Sequence, residues 1–380
     1  MIKKLLEVCD FQGGTQPPKD EWLSMPQEGY IRMLQIRDYT QGDEKFIEYV
    51  LDNGKLHKCT EEDIMLSRYG YIGQAFMGLS GAYNVALVKV IKKEDVLTKY
   101  LLYYFRSRYF QHHLTENVGA RATIPGFNKS ELKNAVIDIP SKERQAYIAN
   151  VLSTIDEIIV QRQQELKTYD DLIKARFVEM FGDPETGTIF YPLKKLKELS
   201  VKISDGVHAK PSYTESGRPF LSVVNINKKK IDFTDCKYVS EEAYQKMIKS
   251  TYPQKGDILY TKVGATYGIP AYVDTDIEFC LYVSVCLIKP RHELINSRFL
   301  AMQMDMPFVK HQADKRIKGI GVPDLHLNQI SDFDIVCPPR DEQDAFVSFV
   351  AQVDKSKFAV QKALDKAQLL FDSLMQQYYG

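Results

Sequence analysis

Two octapeptides in this 380-residue chain carry the same chemistry: Asp63-Ile64-Met65-Leu66-Ser67-Arg68-Tyr69-Gly70 and Asp257-Ile258-Leu259-Tyr260-Thr261-Lys262-Val263-Gly264. Each is a short apolar strand followed by a hydroxyl, a base, any residue and a glycine. That order sets a cation and a flexible backbone at a strand end, where a loop can approach a phosphate or a base edge. Arg68 with Tyr69, and Lys262 with Tyr267 beyond it, are therefore candidate nucleic-acid contacts. A second pair of basic segments, Arg121-Ala122-Thr123 and Arg316-Ile317-Lys318-Gly319, precedes Pro125 and Pro323. Arg32, Gln35 and Arg37 in the first half, and Asn225, Asn227 and Lys228 in the second, have side chains able to make bidentate contacts with purine edges or to meet phosphates. Lys210 completes the second set. A turn with a solvated cation is the competing reading of each feature alone; together they give each half one polar, basic, glycine-containing face.

The chemistry that is missing narrows the choice. No GxGxxG follows a strand, and Gly264-Ala265-Thr266-Tyr267-Gly268 has neither the spacing of a dinucleotide loop nor the ending of a P-loop. Cys337-Pro338-Pro339-Arg340 only mimics the prolines of the Asp/Asn-Pro-Pro-Tyr/Phe run that amino-methyltransferases use. His112 and His113 are neighbours pointing about 100° apart on a helix, which suits a structural role better than a metal site. Glu131-Leu132-Lys133 has the tail of a nuclease motif without its upstream Pro-Asp. Six cysteines (Cys9, Cys59, Cys236, Cys280, Cys286, Cys337) form no CxxC pair and read as thiols of a reducing compartment. Fifty basic and fifty acidic residues cancel, which argues against sequence-independent nucleic-acid binding through bulk charge. Local basic runs remain at Lys228-Lys229-Lys230 and Lys315-Arg316-Ile317-Lys318. The start, Met1-Ile2-Lys3-Lys4-Leu5-Leu6-Glu7, has no signal-peptide core and no stretch approaches membrane-spanning length, so a soluble cytoplasmic protein is expected.

The elements that must position these residues repeat. Shifted by 198 residues, the separation of Pro140 and Pro338, Ile124 through Gly182 falls on Val322 through Gly380 without a gap. Pro140, Gln145, Asp156, Gln163, Leu166 and Gly182 meet identical residues at Pro338, Gln343, Asp354, Gln361, Leu364 and Gly380. The best-matched part reads as a long helix. Apolar positions Ile148, Leu152, Ile155, Ile159, Leu166, Tyr169, Ile173 and Met180 follow heptad spacing, as do Phe346, Val350, Val353, Val360, Leu364, Ala367, Phe371, Leu374 and Tyr378. A helix of roughly 35 residues is about 50 Å long and cannot bury such a stripe alone, so the two should pack on each other. Upstream, Tyr30–Ile36 and Phe220–Ile226 read as strands, and Val96–Leu114 and Asn296–Ala313 as helical stretches. Each half is thus a mixed α/β globule feeding a long helix, alike in framework and different in loops.

That arrangement resembles the DNA specificity subunit of type I restriction-modification systems. The likeness rests on the two octapeptides, on the helix approaches Ile137-Asp138-Ile139-Pro140-Ser141-Lys142-Glu143-Arg144-Gln145 and Val336-Cys337-Pro338-Pro339-Arg340-Asp341-Glu342-Gln343, and on Phe181-Gly182-Asp183-Pro184. It covers essentially the whole chain, although Tyr71-Ile72-Gly73 lacks the second-glycine spacing of Gly264 to Gly268. The resemblance implies an α/β (mixed α+β) fold with a pseudo-twofold internal repeat: target recognition domains at 1–139 and 185–337, and helices at 140–184 and 338–380 forming an antiparallel coiled coil. Each recognition domain would read one half of a bipartite duplex, and the helices would set the spacing and dock two methyltransferase subunits. S-adenosylmethionine, and ATP with magnesium on restriction subunits, would belong to the partners, and this chain would be non-catalytic. A stand-alone DNA-binding regulator and a bivalent protein-interaction scaffold are the alternatives.

Overall fold

In the computed structural model, residues 1–42, 44–118, 126–227, 229–317 and 321–380 are described, the Asn227 side chain excepted. Arg121, Lys228, Lys318 and the Asn227 side chain therefore lie outside the described residues. The chain divides into two compact units, one of Met1–Gln164 with Gln361–Gly380, the other of Glu165–Val360. No helix among the described residues is long and apolar enough to cross a membrane.

In the first unit the strands are β1 (Ile2–Lys4), β2 (Cys9–Gly13), β3 (Tyr30–Leu34), β4 (Tyr49–Leu51), β5 (Lys58–Cys59), β6 (Met65–Ser67), β7 (Ala75–Phe76), β8 (Gly81–Tyr83), β9 (Leu87–Lys92) and β10 (Val136–Asp138). One sheet has the order β2-β9-β6-β7 and is antiparallel; a second has the order β4-β3-β8-β5, with β3 parallel to β8. Helices α1 (Thr98–Arg106) and α2 (Arg108–Val118) precede β10, which pairs with β1, and then comes the long α3 (Lys142–Phe181). The second unit repeats this plan with β11 (Leu193–Lys195), β12 (Ser200–Asp205), β13 (Arg218–Leu221), β14 (Lys237–Val239), β15 (Ile258–Thr261), β16 (Pro270–Tyr272), β17 (Cys280–Leu281), β18 (Val285–Pro290) and β19 (Asp334–Val336). Its sheets run β12-β18-β15-β16 and β14-β13-β17, with β13 parallel to β17, and β11 pairs with β19. Helices α4 (Ser297–Met304) and α5 (Pro307–Arg316) lead to the long α6 (Arg340–Tyr379).

The apolar pattern explains the layers. Val285-Cys286-Leu287-Ile288 in β18 is buried without alternation, as expected of a strand covered on both faces. Cys286 and Ile288 pack toward the helices with Phe299 and Leu300, while Val285 and Leu287 pack against Leu221 and Phe279. In the first unit Val88 and Val90 face α1, and Leu87 and Met65 face Leu34 and Tyr83. The expected strands at 30–36 and 220–226 stop early. At Gln35 and Ser222 the backbone turns into a helical cap, and Asp38 and Asn225 accept the Gln35 and Ser222 backbone N–H at 2.8 and 3.0 Å. The expected helical stretches are likewise broken in two, at Ser107 and at Asp305-Met306.

Each long helix has 40 residues. Within the first unit, Ile148 and Leu152 of α3 share a core with Phe371, Met375 and Tyr379 of α6, and the Arg144 guanidinium lies 5.5 Å from the Tyr378 ring. Within the second, Phe177 of α3 is 5.6 Å from Phe346 of α6, and Lys357 donates to Asp170 at 2.6 Å. In both units the helix segments are antiparallel, early residues of one against late residues of the other. The α6 end docks on α1, where the Tyr379 hydroxyl donates to the Tyr100 carbonyl at 2.9 Å. The α3 end docks on α4, with Phe181 5.2 Å from Phe299.

The repeated glutamine is the joint between globule and helix. Gln145 and Gln343 are buried in the first turns of α3 and α6. Their side-chain oxygens accept the backbone N–H of Leu97 at 3.0 Å and of Asn296 at 2.7 Å, at the starts of α1 and α4. Their amides donate to the Pro140 and Pro338 carbonyls at 2.9 and 2.8 Å, and Gln343 also donates to Leu294. Replacing such a side chain strands buried backbone groups, at about 1–3 kcal/mol. Gln343→Leu should therefore lower the urea midpoint of the second unit by a clearly resolved amount; an unchanged midpoint would mean that water replaces the joint without loss.

Candidate nucleic-acid interface

The octapeptides occupy equivalent places, β6 and β15, and their first residues do the same task. Asp63 accepts the Thr60 backbone N–H at 2.7 Å and the Lys89 ammonium at 2.7 Å; Asp257 accepts from Gln254 at 2.7 Å and from Lys289 at 2.6 Å. Burial pushes the Asp63 carboxyl up, but the hydrogen bonds from Lys89 and Thr60 outweigh it and hold it below its ordinary value. Asp257 is more deeply buried, and there desolvation wins over Lys289 and raises it.

The loops after these strands close identically. The Ser67 hydroxyl donates to the Tyr71 carbonyl and accepts the Gln74 N–H at 2.9 Å. The Thr261 hydroxyl donates to the Thr266 carbonyl at 2.7 Å and accepts the Ile269 N–H at 2.8 Å. Backbone bonds repeat too: Gly73 to Ser67 at 2.7 Å, Gly268 to Thr261 at 2.8 Å, Arg68 to Ala86 at 2.8 Å and Lys262 to Ser284 at 3.0 Å. Gly70, Gly73, Gly264 and Gly268 have positive φ, from 72° to 89°, which only glycine adopts freely. The different glycine spacing is thus a one-residue difference in length between two loops with one closure.

Two further loops meet each of these at its cation. Arg68 donates to the Phe127 carbonyl at 3.2 Å and to Asn128, while Tyr69 bridges to Gly126. A Cβ on Gly13, at the end of β2, would lie 3.7 Å from the Arg68 guanidinium. In the second unit Lys262 is 5 % exposed, with Asp324 at 3.4 Å and Asp205, at the end of β12, at 3.7 Å. Val263 bridges to Asp324, and Leu325 donates to the Lys262 carbonyl at 2.9 Å. The loops that leave β2 and β12 turn on Gly14 and Gly206, where a Cβ would come within 2.0 Å of the Asn84 and Leu281 carbonyl oxygens. In both globules, then, the loop after the first long strand, the closed loop and the segment returning toward the long helix converge on one cation.

The remaining candidates fall into two groups. Several are held by partners within the chain: Arg32 by Asp38 at 2.8 Å, Gln35 and Arg37 by Glu48 at 2.7 and 2.5 Å, and Arg316 by the Gln312 and Asp332 carbonyls at 2.9 and 3.3 Å. Tyr267 donates to Asp314 at 2.6 Å under the Lys310 ammonium, 3.7 Å from the ring centre. Burial raises the Asp314 carboxyl, but hydrogen bonds from Lys310 and Tyr267 hold it below its ordinary value. Asn225 is buried, capping its own turn and donating to the Asp232 carbonyl at 3.3 Å. Lys210 is exposed beside the Tyr213 ring, and the Asn227 backbone pairs with Lys230. His112 and His113 diverge, toward Glu116 and the Glu131 carbonyl. Among the described residues no group of three His, Cys, Asp or Glu side chains could hold a metal ion. Sequence reasoning missed Asp205, Asp324 and Asn128 as cation partners, and it missed Tyr71, whose ring is 83 % exposed at the loop tip.

Comparison with known proteins fits this doubled site. The family described as the type I restriction modification DNA specificity domain matches residues 1–168 and again residues 194–369. The chain belongs to that family. Two type I restriction enzyme specificity subunits of Methanocaldococcus jannaschii are similar to it: MjaVIII, 25 % identical over 84 % of this chain and 82 % of that protein, and MjaIX, 21 % identical over 98 % and 91 %. The solved S subunit from M. genitalium has the same fold, with a TM-score of 0.56 and 15 % identity over 100 % of this chain and 96 % of that one. A chain from a study of type I complex assembly and conformational transition gives 0.57, with 17 % identity over 100 % and 97 %. The protein is a DNA specificity subunit of a type I restriction-modification system, a non-catalytic component of it.

The hydroxyl closure makes a direct prediction. Ser67→Ala and Thr261→Val each remove one donor and one acceptor from a loop, and should speed hydrogen exchange at Gly73-Gln74 and at Gly268-Ile269 about tenfold or more. Exchange that stays at the wild-type rate would show the loops to be closed by their glycines alone.

Proposed function

We propose that the three-loop face of each globule reads one half of a bipartite duplex target. The observation that carries this is the doubled construction itself: the same closed loop meets the same two neighbours at a cation, on frameworks that match while the exposed residues differ. Phosphate contacts fix register and base contacts choose sequence. Lys210 has its ammonium in solvent, Arg121 and Lys318 belong in sequence to the stretches that return toward the long helices, and Lys228 to the run Lys228-Lys229-Lys230. Arg68 and Lys262 hold the loops in register, with Tyr69 and Tyr267 beside them, and Arg32, Gln35, Arg37, Asn225, Asn227 and Arg316 are the further polar candidates of the two globules. As a subunit of a type I restriction-modification system, the protein works in the cytoplasm.

The long helices dock two methyltransferase subunits and fix the spacing between the half-sites, since readout on one face of the duplex follows the helical repeat. Two pairs of exposed apolar side chains favour two equivalent docking sites. Val160 and Phe358, 59 % and 73 % exposed, occupy equivalent positions of the repeat, as do Leu172 and Leu370, 44 % and 52 % exposed. S-adenosylmethionine belongs to those partners, which extrude the target adenine, and ATP with magnesium to restriction subunits where they join.

Gel shifts on a randomised duplex pool, with and without the methyltransferase subunit, test the reading. The assembled complex should enrich a split sequence. Tight binding of the isolated chain would favour a stand-alone regulator, and no enrichment in either arm an interaction scaffold. Phe358→Asp should reduce bound methyltransferase from two copies to one in size-exclusion light scattering, and Val160→Asp with Phe358→Asp should remove both. Two copies retained by the double variant would move the docking site elsewhere.

A further inference from the structure

The closed loops of the two globules share the hydroxyl closure and the backbone bonds from Gly73 and Gly268 and from Arg68 and Lys262, and differ at the tip. In the second globule the tip residues Ala265 and Thr266 are short and exposed, and Tyr267 is tied to Asp314 and Lys310. In the first, the position whose carbonyl accepts the loop hydroxyl is Tyr71, matching Thr266. The loop beneath Tyr71 is anchored at both ends, before it by the bridge of Tyr69 to Gly126 and after it at Gly73. Gln111 donates to the Gly73 carbonyl at 2.7 Å, and a Cβ on Gly73 would lie 2.5 Å from Leu114. A large ring is therefore held in solvent on a loop fixed by a hydroxyl and two glycines. It lies three residues beyond Arg68, where the loops of this face converge.

A single exposed aromatic residue needs no explanation by itself. This one sits at the tip of a built loop, three residues beyond Arg68, whose guanidinium lies 5.4 Å from the Tyr69 ring, in a protein that carries DNA specificity. Fixing the backbone that carries a ring before contact lowers the entropy that binding must remove. Apolar side chains discriminate bases through the thymine methyl group or by pressing against a base step, and neither requires a free charge. That chemistry suits a globule in which the side chains of Arg32, Gln35, Arg37 and Arg68 are engaged within the chain.

We propose that the ring of Tyr71 is a specificity-determining group of the first globule, contacting a base of its half-site from the tip of the closed loop. This rests on the reading of the globules as two half-site readers. The contact is made by the ring, and the hydroxyl is dispensable.

The test uses the full chain assembled with its methyltransferase subunits, acting with S-adenosylmethionine on a randomised duplex pool whose methylated members are sequenced. Tyr71→Phe should keep the wild-type target. Tyr71→Ala should lose preference at one or two adjacent base pairs of one half-site, about tenfold or more, with the other half-site read as before. Its thermal midpoint should equal that of the wild type, because the ring supports nothing in the fold. Tyr71→Ala with full preference at both halves overturns this assignment and leaves the two-reader function standing. So does Tyr71→Phe failing as badly as Tyr71→Ala, or Tyr71→Ala weakening methyltransferase binding with base preference intact. A wild-type complex without any split preference overturns the function and this assignment together.

Discussion

The burial of aromatic helix ends against the globules is the interaction on which the rest depends. Tyr379 with Phe371 and Met375 closes the core of the first unit, and Phe177 with Phe181 closes that of the second. The α6 end comes from a stretch of chain far from the globule it covers, whereas the α3 end runs directly into its own. Without Tyr379, the hydroxyl bond to α1 and two ring contacts would be lost; without Phe181, the Phe177–Phe299–Phe346 cluster would open. Truncations of this kind commonly cost about 3–5 kcal/mol, a large part of a domain's stability. The first globule is thus completed by a helix end supplied from elsewhere in the sequence, and the second by the end of the helix that leads into it.

The glutamine joint and the aromatic docking act at opposite ends of each helix. Gln145 and Gln343 fix where α3 and α6 leave their own globules, through bonds to the starts of α1 and α4. Phe181 and Tyr379 fix where the same helices arrive. Direction is set by hydrogen bonds, which have geometry, and stability by ring burial, which has area. The repeat keeps both, which explains why Pro140, Gln145 and Gly182 recur at Pro338, Gln343 and Gly380.

Much of this could be read from the chain. The heptad positions Ile148, Leu152, Ile155 and Ile159, and Phe346, Val350, Val353 and Val360, are buried as their spacing implies, because period is a local property. The octapeptides marked the right strands for the same reason. Phe177, Met375 and Tyr379 escaped the heptad reading because they face a globule and not only a helix. The helical caps at Gln35 and Ser222 were hidden in apolar runs that look like strand until Asp38 and Asn225 turn back on them. The partners of Lys262 could not be read at all: Asp205 and Asp324 are separated from it by 57 and 62 residues, and only the folded chain brings them near. Charge type was visible in the sequence, and whether a charge was free was not.

The closed loop has a consequence for how such proteins can change. Its framework bonds join a hydroxyl, two glycines and the adjoining strand to main-chain groups alone, and they hold equally over a four-residue and a five-residue glycine-to-glycine span. The tip can therefore gain, lose or exchange a residue while the sheet beneath keeps its register. New sequence preference can be written there with little penalty to folding, which makes the loop a cassette seated in an indifferent holder.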